Sequence, residues 1–350
     1  MASNLCHQKL VTLLSRQGNQ LDRLYAKKAR ELSMILRRYK LNDARNPWKG
    51  NKALEKEVDK VLSGLDEGMK TYMISNMRKA ANLSNNCHDA MIDSYTDGVK
   101  VDPIKKAAMM TRNTAALSAW EAYRIKGLSI SSRVWNTSKQ TKEQLEFFLK
   151  EGLADGTSAS TLATDIKKYL KEPNKRFRRI RDENGKLVMS APAKNYKSGR
   201  GIYKSSYKNA LRLTRNEINL SYRNADNIRR ENLDFVVGVR VNLSDAHPEY
   251  DICDELQGKY PKEFVFTGWH VNCLCFTTSI LMSKKDFVQY LKTGTVKEST
   301  KVKSVPERAS KYLNEKSDKL KSMNSKPYWL TDNFKNTKGG LDLKTSSKPK

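Results

Sequence analysis

Apolar residues recur three and four positions apart over most of the first eighty residues, and this period limits the possible folds more than any other feature. Leu14, Leu21, Leu24, Tyr25, Leu32, Ile35, Leu36 and Tyr39 form one stripe of an amphipathic helix. Leu54, Val58, Val61, Leu62, Leu65, Met69, Tyr72, Met73, Met77 and Ala80 form a second. Asn46-Pro47 lies between them, and a proline there predicts a break. A third helix is expected over 104–126, directly after Pro103. Two more are expected over 141–153 and 158–170, where Gly156 suits a left-handed exit and Ser158 a helix cap.

Charge narrows the partners. The 350 residues carry 66 Lys and Arg against 38 Asp and Glu, a net charge of +28, which points to a polyanion such as nucleic acid or an acidic protein surface. With no run of 18 apolar residues, a membrane span is not expected. The N-terminal MASNLCHQKLVTLLSRQ meets polar residues too early for a secretory leader. Five sparse cysteines suggest reduced thiols and a cytosolic setting rather than a disulfide framework. Trp120, Trp135 and Trp269 are expected as core or interface anchors.

The excess is concentrated in two places. Segment 171–215 holds 14 basic and three acidic residues, and within it RRIRDENGKLVMS places an Asn-Gly turn between two short apolar arms. A basic hairpin arm over 171–203 follows, with Lys175, Arg176, Arg178, Arg179 and Arg181 as residues for nucleic acid or an acidic partner. Tyr196, Tyr203 and Tyr207 are interleaved as stacking candidates. From Lys297 onward 14 basic residues face six acidic ones, and a flexible, largely disordered tail is expected over 286–350. Between these regions a helix over 204–233 precedes FVVGVRV (235–241), the clearest strand, with weaker β candidates at 263–267 and 276–281. The fold class is therefore α+β. A helical body spans 1–127, a second helical region 128–234, and a small β-containing Cys/His domain 235–285, ahead of the tail.

One cluster stands out chemically. Residues 244–276 contain Cys253, Cys273 and Cys275, three of the five cysteines, with His247 and His270, two of the four histidines. Cys273 and Cys275 alternate by two, so in an extended strand both thiols share a face. With His270 and a returning Cys253 they form a donor set suited to one structural zinc, with His247 or Asp251 as alternates. The same residues also fit reduced cysteines and a hydrogen-bonded histidine pinning a small β-unit. A metal nuclease using His247, Asp251 and His270, or a Cys-dependent hydrolase, is the enzymatic alternative. No Walker A loop, dinucleotide fingerprint or HExxH is present.

The order of these motifs resembles the C-terminal region of the phage Mu protein F-like head morphogenesis family, the minor capsid or minor head proteins, in the form carried by phages of gut Bacteroidetes. Arg215, Glu217 and Asn219 match the family's helix; Asp251, Cys253, Leu256 and Gly258 match its loop; His270, Cys273 and Cys275 match its end. Asn216, Val271 and Leu274 depart from the pattern, and Tyr250 stands where a first loop cysteine falls. The likeness is dense over 200–282 and looser over 128–200. It implies a non-enzymatic, portal-associated component of the virion head, acting in capsid assembly and in DNA packaging or ejection. Its partners would be portal and capsid proteins and, without sequence preference, the packaged DNA. The alternative is a metal-dependent nuclease or a plain nucleic-acid-binding protein.

Overall fold

The first two stripes become two long helices, α1 (Ala2–Arg38) and α2 (Lys52–Thr96), and the prolyl break lies between them as expected. The computed structural model describes residues 2–39, 41, 46–48, 51–126, 130–154, 158–171, 179–189, 191, 205–245, 247, 249–324, 326–337 and 340–344. The helix expected over 104–126 is split into α3 (Pro103–Met110) and α4 (Thr114–Lys126). Asp102 caps α3 by accepting from the N–H groups of Ile104 and Lys105. The next pair is α5 (Ile130–Ala154) and α6 (Ala159–Lys171). The fold is α+β, with a mainly helical N-terminal part and small antiparallel sheets near the C-terminus.

The chain forms two discontinuous units, one of residues 14–76 and 122–215, the other of 1–13, 77–121 and 216–350. In the first, Leu21, Leu32, Leu36, Leu54, Val58 and Met69 are buried, as their stripes require. Polar side chains are buried there too: Ser206 N–H donates to Gln144 Oε1 at 3.0 Å, and Asn209 Nδ2 to Gln140 Oε1 at 2.7 Å. Tyr207, expected on a nucleic-acid face, is instead buried edge-on against Tyr25 at 5.3 Å. Trp135, expected as an anchor, is 57% exposed, with Lys139 Nζ 5.6 Å from its ring centre. The hairpin forms from β1 (Arg179–Arg181) and β2 (Leu187–Met189), with Ile180 opposite Val188. Gly185 N–H closes its turn on Asp182 O at 2.8 Å, and Gly185 takes φ +73°, a conformation that glycine adopts without a Cβ clash. Lys175, Arg176, Arg178, Tyr196 and Tyr203 lie outside the described residues, whereas Arg181 is exposed.

In the second unit, α7 (Ser206–Glu231) contributes the part from residue 216 onward and leads into β3 (Val236–Asn242). That strand is the centre of a three-stranded antiparallel sheet, flanked by β4 (Gly258–Tyr260) and β5 (Phe276–Leu281). The strand expected at 263–267 does not form; Phe264 and Phe266 go into the core from an irregular loop. Beyond the sheet come α9 (Lys284–Thr293), α10 (Glu307–Glu315), α11 (Ser317–Ser322) and α12 (Tyr328–Asn333), then a hairpin of β6 (Phe334–Thr337) and β7 (Gly340–Leu343). The expectation of a disordered tail is therefore corrected. Ala309, Leu313, Leu320, Trp329, Leu330 and Phe334 are buried in one core with Tyr260, Phe264, Phe266 and Trp269. Few apolar residues suffice because two of them, Trp329 and Phe334, are large aromatics, and the lysines between them occupy the solvent side.

The reduced-thiol reading is also corrected, at Cys6 and Cys87, which form a disulfide with Cα atoms 6.2 Å apart. Their histidine neighbours diverge, as adjacent helix positions do: His7 Nε2 meets Ser244 Oγ at 3.0 Å and His88 Nε2 meets Asp226 Oδ1 at 2.9 Å. Burial alone would raise the Asp226 carboxyl, but Arg230, with His88 and Thr277, holds it well below the usual range.

In the first unit, burial pushes Asp66 up to about 6 against the pull of Ser138, and its Oδ1 is buried without a partner. A raised carboxyl binds its proton more tightly folded than unfolded, so its contribution to stability is lost as pH rises from about 4 to about 6. Asp66→Asn should raise the urea midpoint at pH 7 and leave it unchanged at pH 4. Parallel pH profiles for variant and wild type would contradict this.

Candidate metal centre

The site begins with a short helix, α8 (Ile252–Leu256), started by an acidic capping box. Asp251 Oδ1 accepts from Cys253 N–H at 2.6 Å, and Asp254 Oδ2 accepts from Asp251 N–H at 2.8 Å. This cap aims the buried Cys253 thiol inward. Leu256 is buried beside it, and Gly258 follows at φ +140°, where a side chain would run into Pro306. The second arm is the loop His270–Cys275, whose turn closes through Cys273 N–H to His270 O at 3.2 Å. Asn272 takes φ +63° at this turn, a conformation asparagine tolerates better than most residues.

The arms meet at Cys253. Its Sγ lies 3.1 Å from His270 Nε2 and 3.8 Å from Cys273 Sγ. His270 Nδ1 is turned to Val271 O at 2.9 Å, which leaves Nε2 facing the sulfur. Asp251 Oδ2 stands 3.3 Å from that same Nε2. Cys253, His270 and Cys273 thus bring three ligand atoms within 4.8 Å of one another, a cluster that could hold a metal ion. A second such group is His247, Asp251 and Cys253. Cys275 is buried, and its thiol interacts with both Cys253 and Cys273.

The three thiols share charge unequally. Bonds from Cys253 and Cys275, reinforced by Arg223, hold Cys273 well below the usual thiol range. Cys253 is pushed far up by its bonds to Cys273 and Cys275 and by burial. The neighbouring thiols and Arg223 favour the charged form at Cys273, and a bound cation would favour it at all three.

The residue that sequence reasoning missed is Arg223. From α7 its guanidinium donates to three backbone carbonyls of the site: Thr267 at 2.9 Å, Cys273 at 2.7 Å and Cys275 at 3.0 Å. It also lies 4.8 Å from the ring centre of Phe266. Asn219, one helical turn earlier, sends Nδ2 toward Cys273 O at 3.4 Å. Gly268, at φ +98°, leaves the space the guanidinium occupies. The i,i+4 spacing of Asn219 and Arg223 was the available signal, since it places both on one helix face. Of the other motif residues, Glu217 is fully buried and Arg215 half-buried on α7, outside this constellation.

Neither the family models, nor the curated proteins, nor the solved structures compared with this chain match it.

Arg223→Ala leaves three carbonyls, those of Cys273 and Cys275 buried and that of Thr267 half-buried, without their donor, at a cost of about 3 kcal/mol. Gly268→Ala should have a similar effect by displacing the guanidinium. Both variants are expected to unfold at lower urea than wild type; a midpoint unchanged in Arg223→Ala would show that the loop is held by other means.

Proposed function

We propose that this chain is a minor head protein of a tailed phage, a structural component that works at the portal during head assembly and DNA packaging or ejection. The observation that carries this reading is the ordered motif series: Arg215, Glu217 and Asn219 on one helix, then a strand, then Asp251, Cys253, Leu256 and Gly258, then His270, Cys273 and Cys275. The architecture is compatible with such a role. A unit whose loop is tied at Cys253 and at Arg223, and whose core is closed by the C-terminal segment, suits a part that must keep its shape under load. The net charge of +28 and the basic hairpin provide for packaged DNA or an acidic capsid surface.

The ion we assign to the cluster is zinc, in a structural role. Two sulfurs bound to one zinc at ~2.3 Å each, with a tetrahedral angle, lie ~3.8 Å apart. Cys253 and Cys273 have that separation, 3.8 Å, and His270 Nε2, at 3.1 Å from Cys253 Sγ, reaches a ligand position by moving outward a few tenths of an ångström, since sulfur and nitrogen on one tetrahedral zinc are ~3.5 Å apart. Cys275 or Asp251 completes the set. Zinc would deprotonate all three thiols and fix the loop that Arg223 already grips.

Quantitative peptide mass spectrometry on gradient-purified particles from the source phage tests the assignment. A few to tens of copies of this chain per head are expected. Its absence from both mature heads and assembly intermediates would overturn the reading, and plasmid nicking abolished by His270→Ala would then favour a metal nuclease.

A further inference from the structure

A single tetrahedral ion leaves part of this cluster unused. His247 Nε2 is 2.8 Å from Asp254 Oδ2 and 3.6 Å from Asp251 Oδ1, and neither His247 nor Asp254 is among the donors assigned to the first ion. The groups His247, Asp251 and Cys253 and Cys253, His270 and Cys273 each satisfy the distance requirement for a cation, and they share one sulfur. Asp251 reaches both histidines: Oδ1 is 3.6 Å from His247 Nε2 and Oδ2 is 3.3 Å from His270 Nε2. Two nitrogen and oxygen ligands at ~2.0 Å on one tetrahedral ion are ~3.3 Å apart, so His247 and Asp251 come within a few tenths of an ångström of sharing an ion, while the second oxygen of Asp251 stands beside the first ion's His270.

We propose that the site holds two divalent cations, the second bound by His247, Asp251 and Asp254 and joined to the first through the Cys253 thiolate. The inference rests on the reading of Cys253, His270 and Cys273 as a metal centre, and extends it. Donor number supports it. Two four-coordinate ions that share one bridging sulfur need seven donor residues, and this cluster supplies seven: Cys253 in common, Cys273, Cys275 and His270 on one side, and His247, Asp251 and Asp254 on the other. Charge supports it as well. Three thiolates and two carboxylates carry five negative charges against four on two divalent ions, and the remaining one faces the buried guanidinium of Arg223, whose partners are carbonyls. The second ion takes the place of the proton between His247 and Asp254, and requires those atoms to separate by about 0.5 Å from their present contact. The helix cap survives this, because Asp251 N–H and Cys253 N–H keep their carboxylate acceptors.

The test is metal stoichiometry of the full chain, purified with zinc and measured by elemental mass spectrometry per mole of protein. Wild type should bind two ions, and His247→Ala and Asp254→Asn should each bind one. Because either variant could misfold, cobalt titration of the wild type provides a second reading: two successive steps, the first with strong thiolate charge-transfer absorption and the second adding less. One ion in wild type, unchanged in His247→Ala, would overturn the second site and keep the first, with His247 then a protonated partner of the helix cap. No bound ion would overturn both. Two ions in wild type and two in both variants would overturn the assignment of the second to His247 and Asp254.

Discussion

A buried guanidinium bonded to three backbone carbonyls fixes the geometry on which the rest of the site depends. Arg223 holds the carbonyls of Thr267, Cys273 and Cys275 from one helix, and so determines where a loop with little regular hydrogen bonding can run. Once that loop is placed, Cys273 must lie against Cys253, and His270 must face the same sulfur. The cation also supplies a reason for thiolate character in an otherwise apolar interior, because burial without a countercharge would favour the neutral thiol.

The aromatic core provides the other half of the support. Trp269 packs edge-on against Trp329 at 5.5 Å, and Trp329 Nε1 donates to Trp269 O at 3.0 Å, immediately before His270. Asn333 pairs with both N–H and C=O of Val265, at 2.7 and 2.9 Å, so a side chain does for the 263–267 loop what a neighbouring strand would do. The C-terminal segment is therefore part of the site's frame. Its lysines make it hydrophilic on average, yet the few large rings it contributes seal the side of the core beneath the cysteines.

Sequence periodicity made the helical body legible, and the strand expected at 276–281 is β5 to the residue. It failed wherever polar side chains occupy inward positions. Helix α2 continues from Ala80 to Thr96 through Ser84, Asn85 and His88, all buried, and an apolar stripe cannot register them. Cys6 and Cys87 are 81 residues apart, and no local pattern announces such a pair. The Cys/His cluster was readable from residue types alone, because few folds gather so many donors by accident. Its organiser was not. Arg223 looks like any other arginine of a basic helix until Gly268 and the three carbonyls are seen around it. The disordered reading of the tail failed for a related reason, since composition averages over lysines and cannot weigh a single Trp329.

The claim that the Cys/His loop is held by a metal from one side and by Arg223 from the other is tested most directly by amide hydrogen exchange, read peptide by peptide with and without a zinc chelator. The account predicts that peptides covering 251–258 and 267–276 exchange markedly faster after chelation, while those covering 20–36 and 54–73 do not change. Equal exchange in the loop peptides with and without chelator would contradict it.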